Sequence, residues 1–151
     1  MGLDMYLNKK TYVKQWEHDS SENKFEVTVT KGGKPFEGID ASKVKYIEEE
    51  VGYWRKANQI HNWFVENIQG GVDDCREAWV DLDDLEKLLE VCKQVRDDHS
   101  LAPTLLPSVS GFFFGGTEYN EYYFEEINNT ISILEEALKS NSGDFYYHSS
   151  W

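Results

Sequence analysis

Hydrophobic and polar residues alternate at the start of the chain. Met1, Leu3, Met5 and Leu7 are apolar, and each is followed by a different kind of residue, such as Asp4. A period of two is typical of a strand that turns one face towards a core. Because the alternation begins at residue 1 with no polar tail, we predict that this strand lies inside the sheet.

Further along the chain, apolar runs and turn residues predict two more strands, three helices and short closing strands. Strands at 11–16 and 25–30 should form a hairpin across the polar segment HDSSENK. Asp81 or Asp83 should cap the second helix, whose apolar residues recur at helical spacing. The predicted helices cover 43–68, the segment from about 81 to the loop at 98–110, and 117–138. The remaining predicted strands are 78–80, the apolar burst at 111–116 and the tail at 144–151.

Strands come first and last, the helices lie between them, and no linker divides the chain. This order predicts one α+β domain spanning 1–151, with a small antiparallel or mixed sheet and about three helices packed on one face. Its length, 151 residues, is that of one ordinary domain.

The segment YWRKANQIHNWF is the most informative stretch of the predicted 43–68 helix. On a helical wheel Trp54, Asn58 and His61 fall within about 60° of one another, in an otherwise apolar arc. One interpretation is that Asn58 and His61 are buried core groups with protein partners. The other is that Trp54, Asn58 and His61 line a cleft. Arg55 would then hold a phosphate or carboxylate at its rim, unless it forms an ordinary surface salt bridge to Glu48 or Glu66.

A glycine-rich aromatic turn, SGFFFGGT, runs into the third predicted helix. Free backbone N–H groups at a helix N-terminus attract anions, and glycines allow a ligand close to the backbone. We therefore place this turn, with Phe113 and Tyr119, opposite the cleft, although such a turn also serves simply to reverse the chain.

The charge of the chain narrows its partners. The formal net charge is −13, which opposes direct binding to nucleic acid or to anionic membranes. Two cysteines without a CxxC motif and no signal-peptide pattern indicate a cytoplasmic protein. Cys92 fits a small buried hydrophobe, the scattered histidines predict no metal site, and no cofactor motif occurs. Asp4 stands out because it interrupts an apolar strand, although it also fits the solvated face of that strand.

Three motifs together, MGLDMYL, YWRKANQIHNWF and GFFFG, resemble a family of small proteins carried by bacteriophages and prophages. The resemblance covers nearly the whole chain. Some members bear the name of phosphoglycerate kinase, but that enzyme is a far larger two-domain chain, and its nucleotide site has no counterpart here. A phage origin implies action on a host cell, such as inhibiting an enzyme or capturing a nucleotide signal of antiviral defence.

Three functional hypotheses follow. The first is a binding protein for a small phosphorylated or nucleotide-like ligand, which sequesters a host defence signal. The second is an enzyme acting on such a ligand with His61 as general acid or base. The third is an acidic inhibitor or DNA mimic that binds a host protein. The sequence leaves a homo-oligomer open.

Overall fold

Four strands form one antiparallel sheet in the computed structural model, which describes residues 2–140 and 142–151. Counting a separate two-stranded hairpin, the strands in chain order are β1 (Asp4–Tyr12), β2 (Thr30–Lys31), β3 (Lys34–Pro35), β4 (Tyr46–Arg55), β5 (Ala78–Val80) and β6 (Asp144–Ser150). The helices are α1 (Asn58–Asn67), α2 (Leu82–Asp97), α3 (Ala102–Leu105) and α4 (Glu121–Ala137). The sheet has the order β4-β1-β6-β5, and β2 and β3 form a separate hairpin. The predicted α+β architecture is confirmed.

Strand β1 lies inside the sheet, as its alternation predicts. It pairs with β4 on one side and with β6 on the other, antiparallel in both cases. Leu3, Met5 and Leu7 are fully buried, because successive side chains of a strand point to opposite faces and these share the core face. Met1, the first residue of the predicted alternation, lies outside the described residues.

The core fills the space between this face and the helices. Helix α2 starts where expected: the Asp81 carboxylate accepts a hydrogen bond from the backbone N–H of Asp83 and so satisfies a free donor of the first turn. Its apolar stripe is buried, and Cys92 belongs to it. Cys92 is fully buried in the core, which confirms its interpretation as a small hydrophobe. Burial also raises the pKa of its thiol to about 12.

The predicted helix over 43–68 is wrong in its first half. Residues 46–55 form β4, and the helix begins only at Asn58. Between them Lys56 adopts a left-handed backbone with φ 57°. The glutamates at 48–50 favour a helix in isolation, but pairing with the central strand β1 outweighs this local propensity. Gly52, inside the segment, was a signal against a helix.

The predicted hairpin of 11–16 with 25–30 does not form. Residues 4–12 make one continuous strand whose two neighbours are β4 and β6. The hairpin in this region is instead β2–β3, which turns at Gly32 and Gly33 with φ of 60° and 79°. Two glycines between short strands are a recognised hairpin signal.

Two smaller boundaries also differ. Helix α4 begins at Glu121, and Asn120 caps it, not Thr117. The apolar burst at 111–116 contains no strand; it is a turn and bend. The strands predicted at 78–80 and in the C-terminal tail are confirmed. Among the described residues, no helix has the length and apolar character needed to span a bilayer.

Candidate functional site: a cleft beside Lys56 and Glu126

A cleft of about 350 Å³ opens where β4 passes into α1. The β4–α1 turn forms one wall, and the glycine-rich turn with the start of α4 forms the other. The side chains that matter for chemistry are two cations, two carboxylates and an exposed aromatic ring. They are Arg55, Lys56, Glu118, Glu126 and Tyr122, and Asn58, Gln59, Gly115, Gly116, Asn120 and Tyr123 complete the lining.

Lys56 is held at the cleft by its backbone. Its N–H donates to the Leu3 carbonyl at 2.8 Å, and its left-handed φ turns the chain from strand to helix. Gly115 packs directly on it: a Cβ at Gly115 would lie 3.2 Å from the Lys56 Cβ, and φ at Gly115 is 82°. Among residues 2–140 and 142–151, no carboxylate lies within ion-pairing distance of Lys56. Its charge is therefore available to a ligand.

Arg55 is partly committed. Its Nη1 donates to Asp4 Oδ1 at 3.1 Å, and the Tyr53 hydroxyl donates to the same oxygen at 2.5 Å. The salt bridges considered from the sequence, to Glu48 or Glu66, do not form in the described chain. The hydrogen bond to Asp4 raises the pKa of the Tyr53 hydroxyl, because ionised tyrosine would lose it. Since its side chain is 54% exposed, Arg55 can still reach a ligand.

Glu126 is the unusual residue of the cleft. Its Oε2 atom is buried and has no hydrogen-bond partner among the described residues. Burial raises the pKa of the Glu126 carboxyl above its ordinary value of 4.5; the neighbouring Asn129 amide opposes this rise without making a hydrogen bond to Oε2, and the charge of Glu125 adds slightly to it. A buried, unpartnered polar atom destabilises a fold, so it needs an explanation. A carboxyl with a raised pKa that lines a cleft is also a candidate binding group.

Asn58 lines the cleft but serves mainly as a staple. Its Nδ2 donates to the carbonyls of Phe114 and Gly116 at 3.0 and 2.9 Å. Its Oδ1 accepts from the Val109 backbone N–H at 2.9 Å. The amide therefore fixes the glycine-rich turn to the start of α1 and so shapes the opposite wall of the cleft.

Trp54 and His61 lie in the core, away from the cleft. Trp54 is 1% exposed, and its indole N–H donates to Thr130 Oγ1 at 2.8 Å. His61 is also 1% exposed; its Nδ1 contacts the Tyr147 hydroxyl at 2.6 Å and its Nε2 contacts Asp73 Oδ2 at 2.9 Å. The shared arc predicted for Trp54, Asn58 and His61 is wrong, because Trp54 belongs to a strand. His61 is therefore a buried core group with protein partners, as the first of the two interpretations of the sequence expects.

Phe113 and Tyr119 flank the turn without lining the cleft. The Phe113 carbonyl accepts from the Leu3 N–H at 3.0 Å, which ties the turn to β1. The Tyr119 hydroxyl accepts from the Ser108 N–H at 3.1 Å, and its ring is 39% exposed. Of the six residues predicted to bind ligand, Arg55 and Asn58 line the cleft; ligand binding by the six stays a prediction.

Sequence reasoning assigned no role to Glu126. The signal was nonetheless available: Glu126 lies three residues after Tyr123 and four before Thr130, and both of these belong to the buried stripe of α4. Residues three and four apart share a helix face. A glutamate at that spacing is therefore forced towards the apolar side.

Comparison of the chain with protein-family models, curated proteins and solved structures gives no match. Within the described residues, no group of three or more histidine, cysteine, aspartate or glutamate side chains is placed to hold a metal ion.

Proposed function

We propose that this chain binds a small phosphorylated or nucleotide-like ligand in the cleft. The observation that carries the proposal is the pairing of two groups in one cleft. Lys56 has a charge without a protein partner, and Glu126 has a buried oxygen without one. Unpaired polar groups that converge on one pocket are typical of a ligand-binding site without its ligand.

Each part of the ligand has a counterpart in the cleft. A phosphate pairs with Lys56 and Arg55, and Gly116 lets it approach the backbone, since open space surrounds the position of a Cβ there. When protonated, Glu126 donates a hydrogen bond to a phosphate or carbonyl oxygen; when ionised, it accepts one from an amino group or hydroxyl. Tyr122, 76% exposed at the mouth, offers a ring on which a base can stack.

The charges of the cleft limit how anionic the ligand is. Two cations, Arg55 and Lys56, face two carboxylic acids, Glu118 and Glu126. This balance favours a ligand with one phosphate group and a ring rich in hydrogen-bond donors over a polyphosphate. The resemblance to phage proteins supports a role in sequestering a signal nucleotide of host defence.

A role for His61 as a catalytic acid or base is disfavoured, because both of its ring nitrogens have protein partners and the ring is buried. We therefore favour a binding protein over an enzyme. The two functions differ in what they return. After incubation with a nucleoside monophosphate and heat denaturation, a binding protein releases the ligand intact, whereas an enzyme releases product.

Calorimetric titration tests the proposal with inorganic phosphate, adenosine, nucleoside monophosphates and nucleoside triphosphates. We expect the monophosphates to bind, and we expect Lys56→Gln to weaken their binding at least about tenfold, which corresponds to about 1.4 kcal/mol. Tyr122→Ala should weaken the binding of nucleotides and leave the affinity for inorganic phosphate unchanged. Lys34→Gln is the matched control, because Lys34 is exposed in β3 and does not line the cleft. Equal affinities for the Lys56 and Lys34 variants would exclude this cleft as the site.

A further inference from the structure

The side of the sheet that faces away from the core carries an aromatic layer. Register places Tyr53, Tyr6 and His148 in one row across β4, β1 and β6. The next row contains Tyr146 on β6 and Trp79 on β5. With strands about 4.8 Å apart, the five rings extend over about 15 Å. We call this surface the open face.

The rings of the open face are accessible and in contact with one another. Trp79 is 55% exposed and Tyr53 42% exposed, and the other three rings are half-buried between them. Tyr6 stacks on His148 with ring centroids 4.8 Å apart and contacts Tyr53 at 5.5 Å. Exposed aromatic residues that are grouped in this way mark an interaction surface more often than scattered ones do.

The charges around the rings of the open face are mostly negative. The cations Lys10 and Arg55 on this face are already paired, Lys10 with Glu77 at 2.7 Å and Arg55 with Asp4 at 3.1 Å. Glu50 and Asp144 are exposed, face the same side by register, and have no ion pair among the described residues. The open face therefore has negative charge left over for a partner.

The open face already binds one cation within the chain. The Lys10 ammonium lies over the Tyr146 ring, 4.4 Å from its centroid. An ammonium or guanidinium is attracted to the face of an aromatic ring, and carboxylates nearby add to that attraction. Tyr6, Tyr53 and Trp79 hold no such cation among the described residues, so they offer the same contact to a partner.

We propose that the open face binds a basic segment of a partner protein. Arginine and lysine side chains of that segment stack on Tyr6, Tyr53 and Trp79, and they pair with Glu50 and Asp144. Charge decides this occupant: a single-stranded nucleic acid would meet carboxylates and a chain of net charge −13. A second copy would bring the same carboxylates against each other.

The test uses a short peptide of alternating arginine and glycine, followed by calorimetry and by NMR spectra of the labelled protein. We expect shifts confined to residues of β1, β4, β5 and β6. Tyr53→Ala and Trp79→Ala, which leave the net charge unchanged, should each weaken binding about threefold to fivefold. Glu50→Lys with Asp144→Lys should weaken it further and reduce its dependence on salt.

Phe112→Ala is the matched control, because Phe112 is 95% exposed and lies outside the sheet. A glutamate–glycine peptide and a thymidine oligonucleotide should not bind. If the aromatic variants bind the arginine peptide as tightly as the unaltered protein, attraction is by overall charge and the proposal is wrong. Binding of the oligonucleotide, or a dimer that Trp79→Ala dissociates, would also overturn it. Melting curves confirm that each variant folds.

Discussion

At the scale of single residues, Glu126 links stability to the proposed site. Its folded-state pKa is raised above 4.5 by burial. Below that pH the folded and unfolded states are both protonated, so the residue has no effect. As pH rises through 4.5 the unfolded chain ionises first, and folding stability falls until the folded pKa is passed. At neutral pH, Glu126 therefore destabilises the protein in its empty state.

This gives a prediction for Glu126→Gln, which keeps the shape and removes the charge. Its melting temperature should exceed that of the unaltered protein by a few degrees at pH 7, and the difference should vanish below about pH 4. Scanning calorimetry across this range measures it. Glu86→Gln, on the exposed side of α2, should change little. If Glu126→Gln is less stable than the unaltered protein at pH 7, the carboxylate has a stabilising partner within the protein, and Glu126 no longer supports a ligand site in the cleft.

His61 gives the second prediction at this scale. His61→Ala leaves the buried Tyr147 hydroxyl and the Asp73 carboxylate without their shared partner. Two lost hydrogen bonds and a cavity together cost about 3–5 kcal/mol of unfolding free energy. Urea denaturation should show this loss. Glu66→Ala, on the exposed side of the same helix, is the control.

Tyr147→Phe separates the two contributions, because it removes only the hydroxyl and keeps the ring that stacks on Phe64 at 4.0 Å. It should cost less than His61→Ala. If His61→Ala abolishes ligand binding without loss of stability, His61 is a ligand group and its buried position here does not describe the functional state.

At the scale of elements, the contact between α4 and β4 depends on a glycine. A Cβ at Gly52 would lie 2.7 Å from Ile133 Cγ2 and 3.1 Å from Trp54 Cη2. Since packed interiors resist added volume, Gly52→Ala should cost about 1–3 kcal/mol. Gly116→Ala is the control, because no atom lies within 4 Å of its added methyl group. Equal unfolding free energies for the two variants would show that α4 can shift freely away from the sheet.

Local pattern was sufficient for some elements and not for others. The α2 helix was predictable because its cap, Asp81, and its buried residues Leu85 and Leu88 lie in one short segment. Strand β4 was not, because Glu48 to Glu50 favour a helix and only pairing with β1, some forty residues earlier, makes it a strand. The prediction of the cleft residues was affected in the same way. Arg55 and Asn58 do line the cleft, but they were predicted from a helical arc that does not exist, because Arg55 belongs to β4.

The other wall of the cleft follows the same rule. The glycine-rich turn was predictable from its composition, and hydrogen bonds from Asn58 to Phe114 and Gly116 hold it beside the start of α1. Its coupling to Lys56 and Glu126 could not be predicted, because that depends on how α4 packs against the β4–α1 turn. Long-range packing of this kind leaves no periodic trace in a single sequence.

At the scale of the whole molecule, the cleft and the open face meet at Arg55. This residue lines the cleft, and its Nη1 contacts Asp4 on the open face. A ligand phosphate that draws Arg55 away would leave Asp4 bonded to Tyr53 alone. The two proposed sites therefore share one ion pair, although each is tested by variants that the other does not use.

The last prediction concerns the charge of the whole chain. A net charge of −13 on 151 residues makes the folded state repel itself. Since the screening length falls from about 30 Å at 0.01 M salt to about 8 Å at 0.15 M, sodium chloride should raise the melting temperature over this range. Spread over exposed helix and strand faces, the carboxylates should treat magnesium or calcium as screening ions, so equal ionic strengths should give nearly equal shifts. Melting curves in matched sodium, magnesium and calcium chloride decide the point. A large increase at micromolar calcium would mean that some carboxylates form a cation site, since only specific binding stabilises a protein at such concentrations.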